Sequence, residues 1–158
     1  DLVVVDAAAP LESDEDLLFD TAAPRRNAAT LVAVESADLV VAVGRADPVG
    51  LMRLVAGLQE LRDVAPDAEV AVVVTRVRES AVGPRPAAAV SRLLHRYAGV
   101  TDVFCIPDEP DVFDRALSQG RTLSQVAPTS QARTSYRSVT RALRSSLPAD
   151  QNRWVQRA

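Results

Sequence analysis

Asp1-Leu2-Val3-Val4-Val5-Asp6 opens the chain and decides how the rest is read. Four consecutive apolar residues, three of them β-branched, suit a strand buried on both faces, as in a parallel sheet covered by helices. The run stops at a carboxylate, Asp6, followed by Ala7, Ala8, Ala9 and Pro10. In open parallel sheets ligands gather outside the carboxyl ends of the strands, so an acid ending a strand there is placed for chemistry. The competing reading is structural: Asp ends many strands by capping the next turn.

Working outward, three further runs read as strands: Asp38 to Val43, Val70 to Thr75, and Val103 to Ile106, the last closed by Pro107-Asp108. Helical patterns fill the intervals. Asn27 is placed to cap a helix over Ala28 to Ser36. Asp47-Pro48 marks a helix start, Leu51, Leu54, Val55, Leu58 and Leu61 recur at helical spacing, and Ala65-Pro66 ends it. After a polar loop with Gly83, Pro84 and Pro86 comes a helix carrying Val90, Leu93, Leu94 and Tyr97, with His95 off that stripe. A short helix is expected over Val112 to Ser118, capped by Gly120. A linking stretch, Arg121 to Ser130, leads to a last helix from Gln131 to Leu147 that buries Tyr136, Val139, Leu143 and Leu147 before Pro148. Alternating strands and helices predict an α/β fold, a doubly wound, mostly parallel sheet with helices on both faces, incomplete at its N-terminus. One domain is expected over residues 1–147, with 148–158 a loosely ordered tail.

Composition narrows the chemistry. With 158 residues, 47% apolar and 25% charged, the chain can bury one real core. Cys105 is the single cysteine and reads as a small core residue; His95 is the single histidine. Disulfides, cysteine-rich or histidine-based metal sites and Ser-His-Asp triads are thereby disfavoured, and a reducing cytoplasm is the expected compartment. Every basic residue is arginine; there is no lysine. A lysine-bearing phosphate loop therefore cannot lie within these residues, nor can a Schiff-base lysine. Since the chain begins inside a strand, it is expected to be a piece of a longer polypeptide.

Charge is unevenly spread. Glu12, Asp14, Glu15, Asp16 and Asp20 make an acidic loop, either simply solvated or a switch that responds to nucleotide or partner. Arg25 and Arg26 precede a helix N-terminus, where cations are mildly unfavourable, which leaves contact with an anion or partner open. From Arg115 onward Asp150 is the one acid, and Arg133, Arg137, Arg141 and Arg144 fall on one side of the last helix. Those arginines either cover apolar area with their stems or track phosphates. Trp154 and Val155 are too small an apolar anchor for stable membrane insertion.

The ordered set Asp1–Asp6, Ala37–Val43, Val72–Arg78, Ile106-Pro107-Asp108, Ala116–Leu123 and Ala127-Pro128 resembles the C-terminal two-thirds of MinD/ParA-type ATPases, the deviant Walker group of P-loop proteins, in particular their CpaE-like actinobacterial branch. The resemblance implies ATP and magnesium as cofactors, with Asp6 as the Walker B acid acting on the metal through water. Thr75 stands where the family carries an asparagine that reads the adenine edge, Arg76 follows it, and Pro107 and Asp108 fall in the loop that packs against the base. The family's Asp-x-Pro-x-Gly is replaced here by Ala7, Ala8, Ala9 and Pro10 after the acid. The glycine- and lysine-bearing phosphate loop would lie upstream. The resemblance further implies slow ATP hydrolysis and a nucleotide-gated homodimer, with Pro10 to Asn27 expected in its interface. The partner would be a protein of a pilus or partition system. The alternatives are a catalytically silent interaction module, and a partition-type, non-specific DNA binder using the arginine helix.

Overall fold

The computed structural model describes residues 2–7 and 27–147. The acidic loop and the C-terminal tail, Trp154 included, lie outside those residues. Valine-rich Val70–Val77 forms the central strand, β2, because β-branched side chains pack well on a pleated surface with neighbours on both sides. It pairs in parallel with β1, Val40–Arg45, from Val40 opposite Val70 to Arg45 opposite Thr75. On its other edge it pairs in parallel with β3, Val103–Pro107, with Val72 opposite Val103. The strand order is β1-β2-β3.

Parallel neighbours need long crossovers, and helices supply them. The helices are α1 (Ala28–Ser36), α2 (Pro48–Val64), α3 (Glu79–Val82), α4 (Pro86–Ala98), α5 (Pro110–Ser118), α6 (Leu123–Val126) and α7 (Gln131–Ser146). α2 and α4 cover one face: Leu51, Leu54 and Leu58 meet Val72, Val74 and Val77, with Val90, Leu94 and Ala98 completing the core. Arg62 donates to the Ala98 carbonyl, joining α2 to the C-terminal end of α4, where a cation also suits the helix dipole. The opposite face is smaller: Val73 and Ile106 pack on Ala132 and Val139 of α7, with Phe104, Phe113 and Leu143 at the margin. An α/β architecture with a parallel sheet and helices on both faces is thus observed. Cys105 is half-buried against the larger core, and burial pushes its thiol pKa up, as suits a packing residue.

Several sequence expectations need correction. Leu2–Val5 are not in a strand; they are 60 to 83% exposed and pair with no described strand. Apolar content fits a segment for burial, but a strand exists through hydrogen bonds to a neighbour, and the described sheet ends at β1. α1 has the predicted bounds, yet Asn27 makes no side-chain cap bond, and of its residues Thr30 alone is buried. The second and third strands start or run later than expected, to Arg45 and Val77, and the linking stretch contains α6, held by Thr122 N donating to Gln125 Oε1 at 3.1 Å. Tyr97 is exposed, with the Arg96 guanidinium 5.3 Å from its ring centroid, while Leu94 and Ala98 hold the buried stripe. Tyr136 is exposed as well, since α7 turns Ala132, Val139 and Leu143 inward instead; Leu147 lies just past the helix end, half-buried.

Leu94 is fully buried, so Leu94→Ala removes packed volume that α2 and β2 cannot refill. A loss of about 2–5 kcal/mol in urea unfolding is expected, whereas Tyr97→Ala, at an exposed position, stays within about 0.5 kcal/mol.

Candidate functional site

Parallel pairing brings the carboxyl ends of all three strands to one end of the sheet, and that is where the sequence-predicted residues Thr75, Arg76, Pro107 and Asp108 meet. The register between β2 and β3 breaks there. Val74 lies opposite Cys105 and Val77 opposite Pro107, so three steps on β2 (77 − 74) match two on β3 (107 − 105). One extra residue is therefore accommodated in β2, a bulge at Thr75-Arg76, with Arg76 in the left-handed region at φ +55. The bulge also explains the burial pattern. Val72 and Val74 alternate onto the larger core, and the added residue returns odd-numbered Val77 to that same core.

Each strand tip is then tied down. Thr75 Oγ1 donates to the Gly44 carbonyl at 3.1 Å, and Ala46 N donates to the Thr75 carbonyl at 2.9 Å, fastening β2 to the end of β1. Asp108 N donates to the Val77 carbonyl at 3.1 Å, fastening β3. Arg78 Nη1 pairs with Asp108 Oδ2 at 2.8 Å, and its Nε donates to Ser80 Oγ at 3.1 Å. At the tip of β1, Arg45 Nε stands 3.1 Å from Asp47 Oδ2, while Asp47 Oδ1 accepts from Gly50 N at 2.9 Å. The first turn of α2 lies so close that a Cβ on Gly50 would come within 2.7 Å of the Arg45 carbonyl oxygen. The Gly50 amide hydrogen bond, helped by the Arg45 charge and opposed by desolvation, holds the Asp47 carboxyl below its ordinary pKa.

The result is a shallow, charged edge. Arg76 is exposed and makes no ion pair among the described residues; Arg78 and Asp108 neutralise each other beside it. Asp6 is exposed in a segment outside the sheet, so the described strands do not carry it into this group. Arg133, Arg137, Arg141 and Arg144 sit on α7, and Arg25 and Arg26 lie outside the described residues. Arg78, Gly44 and Asp47 complete the tips without having been singled out as site residues. Their roles depend on which strand lies alongside, although Arg78 stands only two residues from Arg76. Among the described residues no group of three or more His, Cys, Asp or Glu could hold a metal ion, and no helix is long and apolar enough to cross a membrane.

No protein-family model matches the chain, and a search of curated proteins finds no matching relative.

Asp47 generates a pH prediction with a definite sign. Its folded-state pKa is lowered, so its contribution is present above the ordinary aspartate value, about 3.9, and is lost as pH falls through the folded value. Unfolding midpoints followed from neutral pH into that acid range should drop more steeply for the native chain than for Asp47→Asn, which keeps an acceptor for Gly50 but cannot titrate. Separately, a double-mutant cycle on Arg78→Ala and Asp108→Ala should return a coupling of about 0.2–1 kcal/mol, as for a partly exposed ion pair.

Proposed function

We propose that this end of the sheet is the base-side flank of a nucleotide pocket in an ATPase domain of the MinD/ParA type, CpaE-like branch. The full polypeptide would be an ATP-binding, slowly hydrolysing regulator that dimerises in response to nucleotide and serves pilus assembly, chromosome partitioning or cell positioning. The observation that carries the reading is the bulge at Thr75-Arg76, set directly beside Pro107-Asp108 at the carboxyl ends of parallel strands. Bulges gather next to functional sites because they re-aim a side chain, and a non-glycine residue held at positive φ stores strain that packing alone does not require.

The residues present fit one end of such a ligand. Arg76 and the Asp108 loop can flank a base, while nothing among the described residues cradles a triphosphate, and the chain has no lysine. The phosphate loop would come from another segment, and Asp6 would act on magnesium through water as that segment's partner. The winding supports this placement. α2 and α4 cover the same face, so the sheet does not reverse direction within β1–β3, and the ligand crevice of a doubly wound sheet belongs at such a reversal. The side of β1 that has no described neighbour is the position where a phosphate-loop strand would join.

A second reading, a module that keeps the fold and binds without turnover, is favoured by one observation. The Thr75 hydroxyl already donates its proton to the Gly44 carbonyl, which leaves it an acceptor towards a base and no donor.

Nucleotide affinity and phosphate release, measured on the full-length polypeptide, decide between the readings. Magnesium-dependent ATP binding with slow phosphate release, abolished by Asp6→Asn, is the expected outcome; binding without release leaves the silent module, and no binding sinks both. Arg76→Gly sharpens the test. Relief of the positive φ should raise stability by about 1 kcal/mol while nucleotide affinity falls roughly tenfold. An unchanged affinity would remove Arg76 from the site.

A further inference from the structure

An open groove of about 750 Å³ lies between α6 and α7, and the nucleotide reading makes no use of it. One side is α7, which presents Arg133, Arg137, Arg141 and Arg144 with exposed Tyr136 among them; the other is the start of α6, with Thr122, half-buried Leu123 and Ser124. No acid occurs anywhere from Arg115 to Leu147, and none of these four arginines forms an ion pair with a described residue. Glu109, which reaches the N-terminus of α7, is already engaged: its Oε2 accepts from Ala132 N at 2.8 Å. Among the described residues no hydroxyl oxygen accepts a hydrogen bond from these arginine side chains. Thr140 donates to the Tyr136 carbonyl and Ser145 to the Arg141 carbonyl, so both are turned back on their own helix. Arg133 Nε is shielded from solvent with no acceptor in reach. The exposed side chains of Arg137, Arg141 and Arg144 are the ones an incoming group can reach, and a carboxylate is the natural complement of a guanidinium.

We propose that this groove docks an acidic, leucine-bearing segment of a protein partner in an extended conformation. Arg133, Arg137 and Arg141 recur every fourth residue, about 6 Å apart along the helix axis. Side chains on one side of an extended strand recur about every 6.6 Å, because alternate residues point the same way. An extended chain that alternates carboxylates with leucines therefore faces its acids to α7 and its apolar side chains to Leu123 of α6. This pairing uses both walls. A nucleic-acid backbone could use the arginines and the Thr122 and Ser124 hydroxyls but would leave Leu123 without an apolar partner, so the peptide is the better complement. Binding of this kind does not depend on nucleotide at the strand tips, and the proposal stands or falls apart from that reading.

The test uses the full chain and a short synthetic peptide of alternating glutamate and leucine, titrated by fluorescence anisotropy. Glutamine–leucine and glutamate–serine peptides serve as controls, and a short random-sequence DNA duplex as the competing polyanion. The glutamate–leucine peptide should bind saturably, with both controls weaker by roughly tenfold or more. Arg137→Glu with Arg141→Glu should abolish binding; both side chains are exposed, so the fold should survive, and Arg144→Ala gives a milder second variant read by the same titration. Leu123→Ala should weaken the leucine-bearing peptide and leave the glutamate–serine peptide unchanged. The proposal is overturned if the charge reversal leaves peptide affinity intact, if the serine peptide binds as tightly as the leucine one, or if the duplex outcompetes the peptide and is lost in the same variants, which would make the face a nucleic-acid surface.

Discussion

Two-sided parallel pairing of β2 is the constraint that the rest of the structure obeys. Once both neighbours run parallel to it, each connection has to travel the length of the sheet, and helices are the compact way to do so. The same pairing gathers the strand ends of Gly44, Thr75 and Pro107 at one end, although they are scattered in sequence. It also makes the bulge possible. An extra residue in β2 can be tolerated because Thr75 is held by β1 and Asp108 holds Val77 from the β3 side, so the distortion is confined to Arg76.

Coverage of the sheet is unequal, and the inequality has a direction. α2 and α4 bury the face that carries Val72 and Val74, while α7 reaches Val73 and Ile106 on the other. Val41 and Val43, on β1, share that second face and remain exposed. They are joined among the exposed apolar residues by Leu2 to Val5 and by Val32 of α1. Parallel sheets are normally covered on both faces. The exposed Val41 and Val43 leave that face of β1 open among the described residues.

Charge follows the same division of labour. The strand tips are nearly balanced, with Arg45 against Asp47 and Arg78 against Asp108, leaving Arg76 as the cation of that group without an ion pair among the described residues. α7 is unbalanced along its length, and its cations line an open groove whose other side carries Thr122, Leu123 and Ser124. A balanced edge held by short hydrogen bonds suits a ligand that must be oriented. An unbalanced groove suits a partner that brings its own charge.

The sequence by itself determined the repeating alternation of strand and helix, the start of α2 at Asp47-Pro48, the bounds of α1, and the basic face of α7. Each of these rests on local chemistry: side-chain period, proline and capping geometry, or a run of one residue type. Tertiary structure decided what depended on a neighbour. The Leu2–Val5 run has the composition of a strand, and only a partner edge could make it one. Tyr97 and Tyr136 fit the apolar spacing of their helices, yet Ala98 and Ala132 take the buried positions, which only the packing of each helix against its neighbours decides. The bulge at Thr75-Arg76 left no mark in the pattern of residues, since it arises from fitting three steps of one strand against two of the next, and that mismatch exists only when the two strands lie side by side.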